Sequence, residues 1–333
     1  MKSRVLGRDL QVSTVGLGCM GLSHAYGKPM ERSEAVRFLR TAYEMGYTFF
    51  DTAEVYVGKN ADGSVSNNEE LVGEALKDIR DKVVIATKFG LKAAGTGTSL
   101  MDSRPETIRT SVEGSLRRLG TDHIDLYYQH RIDPNVPIEA VAETMADLIK
   151  EGKITHWGIS EADEANIRKA HAVCPLTAVQ NRYSMMARWH ESLYPVLKEL
   201  NIGFVAFSPM ANGYLSGQYG KNDRFDPDTD YRSRMPQFSP EAEAQNRELL
   251  TLLNHLAEEK SATSAQISLA WMLCKNPQIV PIPGTTKVTR LQENASAADI
   301  QLTQVEVAAL DHALDTLSMS EVYGGFRYIN RTT

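Results

Sequence analysis

The chain has 333 residues, of which 42% are hydrophobic and 23% charged, and a formal net charge of −6. That composition suits a folded protein with one large core. The acidic balance argues against non-specific binding to nucleic acid or anionic lipid, which needs a basic surface, so neither is an expected partner.

In chain order, "VLGRDLQVS" (5–13) precedes the first core strand and reads as a hairpin that plugs the floor of the fold. "TVGLGC" (14–19) is a short apolar strand, and "SEAVRFLRTAYEMG" carries Val36, Leu39 and Tyr43 on one helical stripe. "YTFFDT" (47–52) is a second strand, followed by the helix "NNEELVGEALKDI" with Leu71, Ala75 and Ile79 aligned. "KVVIATKF" (82–89) is a third strand. "SRPETIRTSVEGSLRRLG" then places Ile108, Val112, Leu116 and Leu119 together, with Ser103 and Glu106 as a capping box and Gly120 as its stop. "IDLYYQH" (124–130) leads into "VPIEAVAETMADLIKEG", where Ile138, Val141, Met145 and Leu148 form the stripe. Three more strands come at 154–160, 177–183 and 203–209. Residues 210–240 are a long Gly-, Pro- and Asp-rich stretch of the kind that forms a binding loop. "TSAQISLAWML" opens on a Thr263–Gln266 capping box, and "IVPIPG" (279–284) is the eighth strand. The tail "SEVYGGFRYINRTT" (320–333) has three aromatics and no helical pattern; it covers a site or hangs free.

The strands are nearly continuous apolar runs, as expected where helices cover both faces. Eight alternating units of this length close most naturally into an α/β barrel of the (β/α)8 TIM type, with an open doubly wound sheet as the alternative. No interdomain linker interrupts the pattern, so residues 1–333 read as one domain, with a core over about 4–317 and a tail over 318–333. Cys19, Cys174 and Cys274 are sparse and lack CxxC spacing, which points away from a disulfide framework or zinc site. No metal is expected, and a reducing cytoplasm fits. The N-terminus lacks a continuous apolar leader, and no apolar run approaches the ~20 residues of a membrane helix.

"GLGCMG" (16–21) has the GxGxxG form of a dinucleotide fingerprint. That motif must open directly into a helix, whereas here "LSHAYGKPMERS" intervenes. It reads as a glycine-rich turn at a strand end, and any dinucleotide binds elsewhere.

In a barrel the C-terminal ends of all strands share one face. Polar residues there are Asp51 with Tyr56 just beyond, Lys88, and His130 followed by Arg131. Singly, each has a plain alternative: a turn former, a loop packing residue, a lysine reaching solvent, a structural histidine. Together they form a proton-delivery set. A lysine ammonium stabilises a tyrosine phenolate, a carboxylate holds the lysine, and a neutral imidazole orients a carbonyl oxygen. The set supplies no electrons, so a carbonyl reduction needs a hydride donor.

"GLGCMG", "GYTFFDTAEVY", "VIATKFG", "DLYYQHR", "GKITHWGIS", "VQNRYS", "FSPM" and "PIPGTTKVTRLQENASA" occur in the order seen in the aldo-keto reductases, which the chain resembles over about 4–317. The "GISEA" wording and long loops are similar to the perakine-reductase-like branch. The resemblance implies that Tyr56 is the general acid, Lys88 tunes it, Asp51 holds Lys88 and His130 orients the substrate carbonyl. It also implies NADPH/NADP+ as cofactor and a small-molecule carbonyl substrate. Ser160, Glu161 and Gln180 match the nicotinamide carboxamide positions, and Phe207 the aromatic stacked on the ring. Ser208, Pro209, Met210, Asn212 and Gly213 match the pyrophosphate loop. Gly284, Thr285, Thr286, Lys287 and Arg290 match the phosphate end, and Glu293 and Asn294 match adenine contacts. Two departures stand out. Glu161 occupies a position where the family usually has Asn, and Arg131 one where many members have tryptophan. Arg131 either meets a polar substrate or pairs with a loop acid. An alternative role is an NADPH-binding regulatory subunit of the potassium-channel β-subunit type; a Schiff-base lyase using Lys88 is a third.

Overall fold

In the computed structural model, residues 1–94, 98–219, 223–323 and 327–330 are described. Eight strands line the barrel: β1 (Leu17–Gly18), β2 (Phe49–Asp51), β3 (Val84–Phe89), β4 (Ile124–Gln129), β5 (Ile154–Ser160), β6 (Ala178–Arg182), β7 (Gly203–Phe207) and β8 (Ile279–Pro281). All eight expected strands are present. They lie side by side in chain order, and every neighbouring pair is parallel. A parallel bridge between Gly18 and Gly284 joins the first edge to the last. Gly16 N donates to Pro281 O at 2.9 Å and Gly18 N to Pro283 O at 3.3 Å along the same seam. The ring is therefore closed.

The seam explains the glycines of "GLGCMG". A Cβ on Gly16 would stand 2.6 Å from the Phe49 ring, and one on Gly18 would stand 2.8 Å from the Ile282 carbonyl. These glycines permit backbone contact at closure.

Side chains alternate across each strand. Phe49, Ala86, Leu126, Tyr128, Ala178, Val205, Val280 and Ile282 fill the interior, together with Leu6, Leu10 and Val12. The last three belong to the antiparallel hairpin of Ser3–Leu6 with Leu10–Ser13, which seals the floor as expected. The other face of each strand packs against the helices: Phe50, Ile85, Phe89, Tyr127, Trp157, Ile159, Val179 and Phe204 all lie in the outer core.

Helices at Arg32–Glu44, Asn68–Leu76, Pro105–Leu119, Ile138–Lys150 and Ser264–Lys275 occupy the anticipated positions. The Thr263–Gln266 capping box forms. The Ser103–Glu106 box does not. Pro105 takes the first helical position, where its missing N–H costs nothing, so Arg104 becomes the N-cap. The Ser103 hydroxyl instead accepts from Gln129 Nε2 at 3.0 Å. A helix over Pro240–Glu259 is an element not among the expected ones; it buries Leu249, Leu253, Leu256 and Ala257.

The long loop after β7 carries short 3-10 turns at Ala211–Ser216, Tyr231–Arg234 and Pro236–Phe238. Tail residues Arg327–Asn330 run parallel to Thr98–Met101, which pairs with Leu91–Ala93 beyond β3. The tail therefore returns to the mouth. Phe326, one of its three aromatics, lies outside the described residues. Among the described residues, no helix is long and apolar enough to cross a membrane.

Candidate active site

Period-two alternation decides which polar side chains enter the mouth. On β3, Val84 and Ala86 point inward, so Lys88 does too. By the same rule Asp51 follows Phe49, His130 follows Leu126 and Tyr128, and Gln180 follows Ala178.

Lys88 Nζ donates to the Asp51 carboxylate, and at 2.8 Å to the Thr52 carbonyl. At 3.5 Å it reaches the Tyr56 hydroxyl. Gln180 Nε2 donates to the second Asp51 oxygen at 2.7 Å. Lys88 is 1% exposed and Asp51 3%. Burial pushes the Asp51 carboxyl up and pulls the Lys88 amine down, and their mutual pairing opposes both shifts.

Tyr56 sits beyond the strand on a turn closed by its N–H to Ala53 O at 3.1 Å. Its own carbonyl accepts from Asn68 N at 3.0 Å and from the Ser23 hydroxyl at 3.3 Å. The His130 ring meets the Tyr56 ring edge-on, with centroids 5.9 Å apart. Burial, then the charges of Arg131 and Lys88, holds His130 well below its ordinary pKa, so its imidazole is neutral at pH 7. His130 Nδ1 is buried without a hydrogen-bond partner among the described residues.

Glu54, between Asp51 and Tyr56, is a half-buried carboxyl that the sequence did not single out. It accepts from Gly90 N at 3.1 Å and from the Ser111 hydroxyl at 3.2 Å, tying the Tyr56 turn to the end of β3. Burial raises its pKa to about 6.

Ser160 is buried and its hydroxyl accepts from Arg131 Nη1 at 3.2 Å. Arg131 also donates to the His130 carbonyl at 2.6 Å and lies over the Phe207 ring at 5.8 Å. Glu161 has a left-handed backbone, φ 55°. Its Oε1 accepts from Arg182 N at 2.7 Å and lies 3.6 Å from His190 Nε2. Burial works against the Glu161 carboxylate, yet His190, Arg131 and the Arg182 N–H outweigh it and keep its pKa below the usual value.

After β7, the backbone turns left-handed at Ser208, Ala211, Asn212 and Gly213, with φ between 46° and 96°. Pro209 is buried and Met210 half-buried between them. Asn212 Nδ2 donates to the Tyr26 hydroxyl at 2.7 Å. Three non-glycine residues in this conformation within five positions mark backbone held for a purpose. Beyond β8, Gly284 and Thr286 are exposed, and the Thr285 hydroxyl accepts from Lys287 N at 3.1 Å. Lys287 caps the helix Val288–Ser296. A cleft of about 540 Å³ opens there, lined by Lys287, Arg290 and Glu293 with Thr263, Gln266 and Ser296. Glu293 accepts from Arg290 and, at 2.7 Å, from the Thr263 hydroxyl. Asn294 is buried. Another cleft, about 350 Å³, lies at the floor around Arg8, Asp9 and His156 and holds none of the candidate residues.

A profile of the aldo/keto reductase family matches residues 14–315. The probable aldo-keto reductase 1 of Glycine max is 39% identical over 325 residues, spanning 97% of this chain and 90% of that protein. The chain belongs to the aldo/keto reductase family. Its fold also resembles that of a glycerol dehydrogenase from Gluconobacter oxydans, with TM-score 0.82, 28% identity and 94% of each chain covered. A further similar structure is an aldo/keto reductase from Klebsiella pneumoniae in complex with NADP and acetate, at TM-score 0.70 and 26% identity over 98% of this chain and 99% of that one.

In this aldo/keto reductase the inward rule also places a residue that sequence reading passed over. Arg182 lies two positions beyond Gln180 on β6 and faces the mouth. Its guanidinium lies over the Phe207 ring at 4.8 Å and over the Tyr323 ring at 3.5 Å. The signal was present in the spacing from Gln180, but an arginine near a strand end reads first as a surface charge.

Proposed function

We propose that the protein reduces aldehydes and ketones to alcohols with NADPH, Tyr56 acting as general acid. The observation that carries this reading is the Lys88 ammonium: turned inward, fixed by Asp51 and Thr52 O, and within 3.5 Å of the Tyr56 hydroxyl.

The donor set fits the cofactor. Lys287 and Arg290 stand at the first turn of a helix, where cation and helix dipole both favour a 2′-phosphate. The left-handed backbone at Ser208, Ala211, Asn212 and Gly213 suits a pyrophosphate. Ser160 and the remaining Gln180 oxygen suit a carboxamide, and Phe207 suits a flat ring. One Glu161 oxygen accepts from Arg182 N and so supports β6, which leaves the other oxygen for the carboxamide position. When bound, NADPH supplies the hydride.

Tyr56 transfers its phenolic proton to the carbonyl oxygen, and the product is the alcohol. The Lys88 charge stabilises the phenolate left behind. Asp51 and Gln180 keep Nζ in place, and neutral His130 orients the carbonyl oxygen by donating one hydrogen bond. Glu54 holds the turn that carries Tyr56.

Tyr56→Phe tests the role. Loss of a general acid typically costs 10²-fold or more, so kcat with an aldehyde falls by at least ~10² while NADPH affinity, read by fluorescence titration, stays within about twofold. Unchanged turnover removes Tyr56 from the chemistry.

A further inference from the structure

Arg182 is a buried cation that the reduction above does not use. It is 3% exposed. Among the described residues its guanidinium makes no hydrogen bond and no ion pair; only its backbone N–H is spent, on Glu161. Burying a guanidinium without a counter-charge is costly, and such groups are normally paired. Here aromatic rings stand in for part of that pairing. Phe207 at 4.8 Å and Tyr323 at 3.5 Å cover its flat surface. That leaves the N–H edge, whose geometry matches a carboxylate.

A second cation stands beside it. Arg131 lies over the same Phe207 ring at 5.8 Å, and Glu161 acts electrostatically on both arginines. The Lys88 charge is met by Asp51. Arg182 stands on the strand that also brings Gln180 to Asp51. Gln180 and Arg182 are two residues apart, roughly 6–7 Å of strand.

We infer that Arg182, with Arg131 beside it, is a subsite for a carboxylate on the substrate, so that the protein selects oxo acids over neutral carbonyl compounds. The inference rests on the reductase reading and names its substrate class. The carbonyl lies at Tyr56, and the carboxylate lies one layer higher at the rim, under the tail residue Tyr323. A rigid probe of suitable span is 4-carboxybenzaldehyde, and its neutral isostere is 4-formylbenzamide.

Two measurements test it. The first is kcat/KM for the two aldehydes with NADPH. The second, independent of turnover, is calorimetric binding of 4-(hydroxymethyl)benzoate and its amide to protein saturated with NADP+. A hydrogen-bonded charge pair predicts an acid-over-amide ratio of about tenfold or more in both. In Arg182→Met the ratio collapses toward one. In Arg182→Lys, which keeps the charge and loses the fork, it is intermediate. Should Arg182→Met fail to fold, Arg182→Lys and Arg131→Met carry the comparison. A ratio near one in the native protein, or a ratio unmoved by these substitutions, overturns the subsite. Equal turnover of both aldehydes leaves the reductase reading standing and removes the subsite. Selective binding of the acid with no turnover of either does the reverse.

Discussion

The two ends of this barrel are built from the same strands and the same inward positions, yet they do opposite things. At the floor, Phe49, Ala86, Leu126, Ala178 and Val205 point in and close over Leu6, Leu10 and Val12 of the hairpin. One or two inward steps later the same strands present Asp51, Lys88, Gln180, His130 and Arg182. The lower layer contributes stability through apolar burial. The upper layer spends stability, because each of its groups is desolvated and must find a partner. Asp51 and Lys88 find each other; among the described residues His130 Nδ1 finds no hydrogen-bond partner, and the Arg182 guanidinium meets the faces of Phe207 and Tyr323 but no acceptor. Unpartnered polar atoms in the upper layer mark where a ligand belongs.

The severest challenge to this division of labour is Lys88→Met. It removes the charge beside Tyr56 and also leaves the Asp51 carboxylate buried without its cation. Breaking one side of a buried pair costs about 3–5 kcal/mol, so the urea midpoint falls together with kcat. Adding Asp51→Asn restores most of the stability and none of the activity. Restored turnover in the double variant would separate this pair from the chemistry. A somewhat smaller loss comes from the other end. Leu6→Ala opens a cavity against the barrel interior and costs about 2–5 kcal/mol. Here kcat per folded molecule stays within about twofold at a temperature where the variant remains folded. A floor substitution that lowers kcat tenfold would show that the two layers are not independent.

Much of the mouth was legible because it depends on spacing. Asp51, Lys88 and His130 follow apolar strand residues at even separations, so a correct strand assignment places all three. Tyr56 was legible only as a neighbour of Asp51; its position comes from a turn and from anchors on Asn68 and Ser23, which no periodicity announces. Glu54 was passed over because a carboxylate in a loop reads as solvated, whereas Gly90 N and the Ser111 hydroxyl draw it in. The Ser103 capping box failed because Pro105 fits the first helical position better than Ser103 fits the cap. The helix Pro240–Glu259 comes after a long polar stretch whose ending the sequence does not mark, although its buried leucines keep a helical interval. The return of the tail depends on parallel pairing with Thr98–Met101, a contact across more than two hundred positions that local pattern does not encode.

The subtlest effect isolates His130. In the unfolded chain a histidine titrates near ~6.5, but in the fold burial, Arg131 and Lys88 hold the ring well below that value. Above pH 6.5 both states are neutral and the shift costs nothing. As pH falls below 6.5, the unfolded chain takes up a proton that the folded ring refuses, and stability is lost until the depressed folded value is reached. Linkage sets the limiting slope at about 1.4 kcal/mol per pH unit, so the native protein loses about 1 kcal/mol between pH 6.5 and 5.5 from this ring alone. His130→Asn lacks the titration, and its urea-midpoint profile over that window is flatter by that amount. Glu54, whose raised value lies within the same range, contributes a slope of opposite sign to both proteins and cancels in their difference. Parallel profiles for the two proteins would mean that His130 takes up its proton in the fold as readily as in the open chain. It would then be charged at mildly acidic pH, and a neutral imidazole at the mouth would no longer be available to orient a carbonyl there.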